Sequence, residues 1–338
     1  MFLYSVARPL LFRLDPETAH DLTLRSLAIA MRLGLLGRKA PQSDRPPIEV
    51  MGLRFPNPVG LAAGLDKNGD CIDALFALGF GFVEIGTVTP LAQPGNPKPR
   101  MFRIPRADAI INRMGFNNRG VDDLIARLEH RRGQGILGIN IGKNFDTPIE
   151  HAVSDYLQAM RKVYPFADYI TINISSPNTQ NLRDLQRPDS FAALLEALKK
   201  EQARLSESHG KYVPLAVKIA PDLQRQEVSA LAGLLMLNRI DAVIATNTST
   251  NRAGIAGLPH GAEAGGLSGK PIFEQSTRIV QYLAAELKGT IPIIACGGIV
   301  SAEDAIRKKA AGAQLIQLYT GLIYQGPKLI GECISAFG

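Results

Sequence analysis

The chain has 338 residues, with 38 Lys and Arg against 31 Asp and Glu for a net charge of +7, 46% hydrophobic and 20% charged residues, three cysteines and no tryptophan. Apolar residues are too plentiful and charge too modest for disorder; Cys71, Cys296 and Cys333, an odd set without a Cys-x-x-Cys pair, exclude a disulfide scaffold and offer no thiolate cluster for zinc or iron–sulfur, so no metal is expected. With no Lys/Arg block there is no footprint for nucleic acid, and the longest uncharged apolar stretches, such as Leu27–Met31 and Ile291–Ile299, fall well short of the ~20 residues of a spanning helix.

Residues 1–45 read as a helical segment set apart from the rest. Met1 to Leu14 carries apolar residues but no small-residue cleavage site before Asp15-Pro16, so no signal peptide is expected. Asp15-Pro16-Glu17 is a helix start, and Pro41 to Pro47 a linker. Between Leu22 and Leu36 apolar residues cover most of a helix, while Asp21, Arg25 and Arg32 stack on one side. Such a helix can pack on a neighbouring domain, or it can meet membrane or a lipid-soluble ligand with help from Arg8, Arg13, Arg38 and Lys39.

Residues 46–338 contain eight short apolar runs, at Val59–Ala63, Phe82–Thr87, Ile136–Ile141, Tyr169–Ile174, Leu215–Ala220, Ala242–Thr246, Ile291–Cys296 and Leu315–Tyr319. Helical segments lie between them, for example at 68–78, 120–130, 188–205, 227–237, 275–287 and 302–311. Near-continuous apolar strands alternating with helices imply a parallel sheet covered on both faces. Eight such units favour an α/β fold of the closed (β/α)8 TIM-barrel type, with the first 45 residues as an appendage.

Polar residues inside these runs carry the functional signal, because buried strand positions exclude amides and charges unless something satisfies them. Period-two alternation turns Ile139, Ile141, Ile172 and Ile174 toward the helices and Asn140 and Asn173 into the barrel. Lys218 shares a face with Ala216 and Ala220, so its ammonium also enters the interior. An Asn–Asn bond or a Lys218–Glu84 pair would satisfy them structurally; three such groups near C-terminal strand ends favour a bound polar ligand. The loops after the strands add Gly64 to Asn68, Ser175 to Thr179, Asn247 and Thr248. The amides of Asn112, Asn173, Asn178 and Asn247 can match the alternating N–H and C=O edge of a pyrimidine-like ring. Glycines at Gly297-Gly298 and Gly321, with Gly265 to Gly269 upstream, suggest a phosphate seat after strands seven and eight. Phosphate, lysine and amides together suggest a phosphorylated aromatic cofactor, with FMN a natural candidate that the pattern alone does not separate from a sugar phosphate.

Six ordered motifs, Gly60-Leu-Ala-Ala-Gly-Leu-Asp-Lys67, Asn112-Arg-Met-Gly-Phe-Asn-Asn118, Asn140-Ile-Gly-Lys143, Asn173-Ile-Ser-Ser-Pro-Asn178, Val217-Lys-Ile-Ala-Pro-Asp222 and Gly265-Gly-Leu-Ser-Gly269, together with Leu14-Asp-Pro-Glu-Thr-Ala-His20, resemble dihydroorotate dehydrogenase over essentially the whole chain. Ser176, where soluble relatives place Cys, and the N-terminal extension resemble its membrane-associated, quinone-dependent class. The resemblance implies oxidation of (S)-dihydroorotate to orotate in pyrimidine biosynthesis, by a monomer that sits peripherally on the cytoplasmic face of a bacterial inner membrane. It implies one non-covalent FMN, contacted by Ala63, Gly64, Leu65, Asp66, Lys67, Thr87, Asn140, Asn173, Lys218, Thr246, Gly269, Gly298, Tyr319 and Thr320. It implies substrate contacts from Lys67, Asn112, Arg113, Met114, Gly115, Phe116, Asn173, Asn178, Asn247 and Thr248. Ser176 is the implied base for the C5 proton, with Thr179 and a water as its relay, while C6 gives a hydride to the flavin and Lys218 offsets the resulting charge. His20, Arg103 and Tyr319 are implied on the quinone side, so deleting residues 1 to 40 is expected to spare flavin reduction and depress quinone turnover.

Two departures from the family pattern are visible. Asn181 stands where relatives commonly have Gly, which left-handed backbone tolerates, and Ala295-Cys296 replaces Gly-Val before the glycine pair. The rival readings are a flavin barrel that reduces uridine in tRNA, a lyase with Lys218 as Schiff base, and a non-catalytic binding module. The first would carry a basic RNA-binding extension and a catalytic Cys in the barrel loop, against which Ser176 and the apolar N-terminus argue, and colour separates it from the second.

Overall fold

The eight apolar runs close into one parallel barrel in a computed structural model that describes residues 2–36, 46–131 and 133–337. An antiparallel hairpin, β1 (Ile48–Val50) and β2 (Leu53–Phe55), precedes the barrel strands β3 (Val59–Leu61) and β4 (Phe82–Val88). Strands β5 (Met101–Ile104) and β6 (Ala109–Asn112) leave the barrel; β7 (Ile136–Ile141), β8 (Tyr169–Asn173), β9 (Leu215–Ile219) and β10 (Ala242–Ala245) continue it. β11 (Gly266–Gly269) pairs antiparallel with β6, and β12 (Ile293–Cys296) and β13 (Leu315–Leu318) complete the ring, in which β13 pairs with β3. The seventh strand starts two residues later than the sequence suggests, after Pro292, which has no amide to give a ladder.

Period-two alternation sorts the two cores. Ile139, Ile141, Ile172 and Ile174 pack in the layer shared with the helices, whereas Phe82, Tyr169, Ala216, Ile244, Ile294 and Leu315 fill the barrel. The hairpin caps the N-terminal end through Phe55, whose ring meets Phe82 edge-on at 5.1 Å. Gly60 and Gly138 make that filling possible, since a Cβ on either would lie 2.3 Å from the Phe82 ring or 2.2 Å from the Tyr169 ring.

The outer helices are α3 (Ile72–Ala77), α4 (Val121–Leu128), α5 (Ala152–Val163), α6 (Pro188–His209), α7 (Arg225–Leu237), α8 (Phe273–Leu287), α9 (Ala302–Ala310), α10 (Thr320–Gln325) and α11 (Lys328–Phe337), preceded by α1 (Phe2–Leu11) and α2 (Pro16–Arg32). Asp15 caps α2 by accepting from the Thr18 amide at 3.0 Å, with Pro16 in the first turn, as its sequence signature requires. α1 is tied down by Tyr4 Oη, which donates to Ile323 O, and by Arg8, which donates to Tyr324 O. Leu24, Leu27, Ala28 and Met31 of α2 pack on the core, while Leu22, Ile29 and Leu33 stay exposed beside Asp21, Arg25 and Arg32. The packing reading thus describes one face of that helix, and the other face stays exposed. Arg38, Lys39 and residues 41–45 of the linker lie outside the described residues.

Candidate active site

A cleft of about 1020 Å³ opens at the C-terminal ends of the barrel strands. Beneath it lies a polar layer built on Glu84, which is fully buried. Its carboxylate accepts from Asn140 Nδ2 at 2.8 Å, Tyr169 Oη at 3.0 Å, Thr171 Oγ1 at 3.1 Å and Gln317 Nε2 at 2.7 Å. With its Nδ2 spent below, Asn140 turns Oδ1 upward to accept from Thr87 Oγ1 at 2.6 Å and Asn173 Nδ2 at 3.2 Å. Asn247 Nδ2 then donates to Asn173 Oδ1 at 3.1 Å. A chain of amides, each oriented by the one below, thus rises from a buried carboxylate to the cleft floor.

Lys218 follows another course. Of the two structural partners open to the interior residues, the Asn–Asn bond forms and the Lys218–Glu84 pair does not. Lys218 is 5% exposed and lines the cleft, and among the described residues its ammonium has no hydrogen bond or ion pair. Gln317 Oε1, on the same wall, is likewise buried without a partner, as is Thr179 Oγ1 behind the lining. Buried polar atoms left unpaired on a concave wall call for a ligand or ordered water.

Of the residues singled out from the sequence, Ala63, Gly64, Lys67, Thr87, Asn112, Met114, Gly115, Phe116, Asn173, Ser176, Asn178, Lys218, Thr246, Asn247, Thr248, Gly269, Gly298, Tyr319 and Thr320 line the cleft. Leu65, Asp66, Arg113, Asn140 and Thr179 lie outside that lining. Asp66 turns its carboxylate to the amides of Asp70 and Cys71 at 2.9 and 2.8 Å, at the start of α3. Arg113 points outward, paired with Glu263 at 2.7 Å and stacked 4.6 Å from the Phe102 ring. Ser176 is 6% exposed, and its Oγ accepts from the Asn178 amide at 3.3 Å. Burial pulls the Lys67 ammonium down to about 8, only partly offset by Glu17, and its Nζ donates to Gly64 O at 2.9 Å. Asn181 adopts left-handed backbone, φ 56°, as its place in the loop demands.

Sequence reasoning did not single out Arg183 and Asp222, which clamp the loops after β8 and β10. Arg183 donates to Ser175 O at 3.1 Å and Thr248 O at 3.0 Å while Asp222 holds its third corner at 2.8 Å. The Arg183–Asp222 pair spans 39 residues and the Thr248 carbonyl lies 65 residues beyond Arg183, so no local pattern announces the clamp. Gln317 was also missed, although a lone amide in the run Leu315–Leu318 was a signal of the kind used for Asn140.

A second cavity of about 910 Å³, almost wholly apolar, lies between the barrel rim and α1 and α2. His20, Arg103 and Tyr319 are among its lining residues, with Leu24, Leu27 and Ile323. Burial, reinforced by Lys67, holds the His20 imidazole down to about 3, so it is neutral at ordinary pH. Arg103 donates to Phe12 O at 2.9 Å and Leu14 O at 3.0 Å and covers the Phe12 ring at 4.8 Å, closing the bend between the two helices. Tyr319 lines both cavities, its Oη donating to Gly64 O at 3.3 Å. Among the described residues no helix is long and apolar enough to cross a membrane, and no side-chain cluster could hold a metal ion.

The sequence model of the dihydroorotate dehydrogenase family matches residues 47–337. Proteins named dihydroorotate dehydrogenase (quinone) from Paraburkholderia xenovorans and Azotobacter vinelandii are each 59% identical over 334 residues, covering 99% of this chain and 98% and 96% of theirs. The ligand-free DHODH of Eimeria tenella superimposes with a TM-score of 0.88 at 39% identity, covering 95% of this chain and 94% of that one; its complex with ferulenol gives 0.87 at 38%, covering 95% and 90%. Family, full-length relatives and fold agree, and the chain belongs to the dihydroorotate dehydrogenase family.

Proposed function

We propose that the chain oxidises (S)-dihydroorotate to orotate in pyrimidine biosynthesis, with FMN bound across the barrel mouth and a membrane quinone as final electron acceptor. The observation that carries this reading is the pair of cavities sharing Tyr319: a polar cleft at the strand ends and an apolar one under α1 and α2. The cleft residues fit a flavin. Lys218 and Gln317 Oε1 leave a donor and an acceptor unpaired, and the lining includes Gly269 and Gly298, kept as glycines because a Cβ would strike the protein's own backbone at 2.1 and 2.3 Å.

When bound, the flavin supplies the acceptor for the hydride that leaves C6 of dihydroorotate. The chain does the rest. Asn112, Asn173, Asn178 and Asn247 hold the pyrimidine ring; the last is oriented by the amide chain below, and Asn178 Nδ2 donates to Asn112 Oδ1 at 3.2 Å. Lys67 faces the substrate carboxylate, and Lys218 sets a fixed positive charge on the cleft wall. Ser176 Oγ takes the C5 proton. No imidazole or carboxylate bonds to it among the described residues, so the proton leaves by water past Thr179 Oγ1, whose unpaired state suits that passage. In this reading the chain acts as a monomer at the cytoplasmic face of the bacterial inner membrane.

Anaerobic stopped-flow absorbance in the flavin band tests the reading. Dihydroorotate should bleach the purified protein and a quinone should restore it. A yellow protein that dihydroorotate cannot bleach would overturn the substrate; a colourless one would overturn the cofactor.

A further inference from the structure

Behind the glycine loop sits a cation that this chemistry does not use. Lys308 on α9 is 0% exposed. Its Nζ donates to Ser276 Oγ at 2.6 Å and lies 4.8 Å from the centroid of the Phe273 ring, and among the described residues no carboxylate pairs with it. A buried ammonium held only by a hydroxyl and a ring is costly unless something nearby offsets its charge. Burial accordingly pushes it down to about 7. Around it stand the Cys296 thiol of β12, Asp304 and Arg307 of its own helix and Glu274 of α8, the last already paired with Arg307 at 2.7 Å.

The direction of the hydrogen bonds matters. In its charged form, which a bound phosphate would favour, Lys308 can only donate, so Ser276 Oγ accepts from it and turns its own proton elsewhere. Gly297 O, at 2.9 Å, is within reach, with Phe273 O at 3.1 Å. In a trans peptide the carbonyl and the following N–H point in opposite directions. With Gly297 O drawn back toward α8, the Gly298 amide is aimed away from α8 and toward the cleft, and it makes no backbone hydrogen bond of its own. Gly298 is fixed as glycine by φ +81° and by Phe273 Cα, which would lie 2.3 Å from a Cβ.

We propose that Lys308, acting through Ser276 and Gly297, is a positioning residue for the cofactor phosphate: it holds the Gly298 amide toward a phosphoryl oxygen and sets a buried positive charge behind it. The inference rests on the FMN reading and adds to it a residue that touches neither cofactor nor substrate. Its signature is phosphate specificity, because a merely structural defect would weaken the isoalloxazine and phosphate ends alike. Flavin-free full-length protein, titrated with FMN and with riboflavin by fluorescence quenching, reads the difference. Lys308→Met and Ser276→Ala should each weaken FMN by about tenfold while riboflavin changes less than about twofold. If either folded variant binds FMN as the parent does, or loses both ligands equally, the role assigned to Lys308 is wrong. Ser276→Ala leaves the lysine in place and decides the matter should Lys308→Met fail to fold. A parent protein that binds no FMN would refute the cofactor reading itself, and the inference with it.

Discussion

Lys67 and Ser176 stand in the same cleft and answer pH in opposite senses. Burial lowers the Lys67 ammonium to about 8, so in the free protein it loses its charge above that pH, and an incoming carboxylate loses its counter-charge. Because kcat/KM reports the free enzyme, it should fall as pH rises through about 8. Bound carboxylate favours the charged lysine, so flavin reduction at saturating dihydroorotate should instead keep rising as proton transfer from Ser176 becomes easier. Stopped-flow traces across the neutral and alkaline range separate the two; a kcat/KM that climbs in parallel with the saturated rate would remove Lys67 from carboxylate binding. Replacing Ser176 by Ala should slow the reductive step by roughly 10²–10⁴-fold with FMN content unchanged, and an undiminished rate would remove the serine as base. At this scale the legible residues were those that break a period-two strand, Asn140, Asn173 and Lys218, whose inward direction follows from alternation alone. Asp66 and Arg113 were harder: both flank cleft residues, but one turns to the amides of Asp70 and Cys71 just ahead of α3, and the other pairs with Glu263, 150 residues away.

Among the elements, α2 is bound to the loop between β4 and β5 more firmly than its place in the chain suggests. Glu17 is buried against Arg100, whose guanidinium it accepts at 2.7 and 3.1 Å. Arg100 in turn donates to Pro94 O and Asn96 O, and Asn96 Nδ2 donates to Arg113 O at 2.8 Å and Asn178 O at 3.3 Å. Although burial alone would raise it, the hydrogen bonds and charge of Arg100 carry the Glu17 carboxyl below its usual value. The stability this gives is complete above the ordinary glutamate range and is lost on acidification through the lowered value. Removing one partner of a buried pair costs roughly 3–5 kcal/mol. Glu17→Gln should therefore lower Tm and raise the KM for dihydroorotate with little change in saturated flavin reduction, and removing residues 1 to 40 should raise that KM as well as depress quinone turnover. Equal KM values in parent and Glu17→Gln protein would show that the network ends at Arg100. The barrel strands and most of their helices were legible because each repeats one pattern. The β5–β6–β11 sheet was not, since its strands are four residues long and β11 reads as a glycine loop whose pairing with β6 joins residues 154 to 160 apart in the chain.

For the molecule as a whole, the proposed function brings a lipid-soluble quinone into the apolar cavity from outside, and the outer faces of α1 and α2 suggest from where. Val6, Leu10, Ile29 and Leu33 are 58%, 61%, 55% and 68% exposed, and none of them lines either cavity. Full burial of such a side chain is worth about 1.5–3 kcal/mol, so four on one helix pair can hold a domain to a bilayer surface without any spanning segment. Exposed Arg13, Arg25 and Arg32 beside them favour anionic lipid. The variant with Val6, Leu10, Ile29 and Leu33 all changed to Ser should lose sedimentation with phosphatidylglycerol-containing vesicles and lose turnover with a long-chain quinone dissolved in them. Bleaching by dihydroorotate and reoxidation by a short, water-soluble quinone should be unaffected, since the cavity walls are intact. Unchanged vesicle binding would place the membrane contact elsewhere on the surface, whereas lost vesicle binding with undiminished long-chain turnover would mean that the quinone reaches Tyr319 without the bilayer resting on these helices.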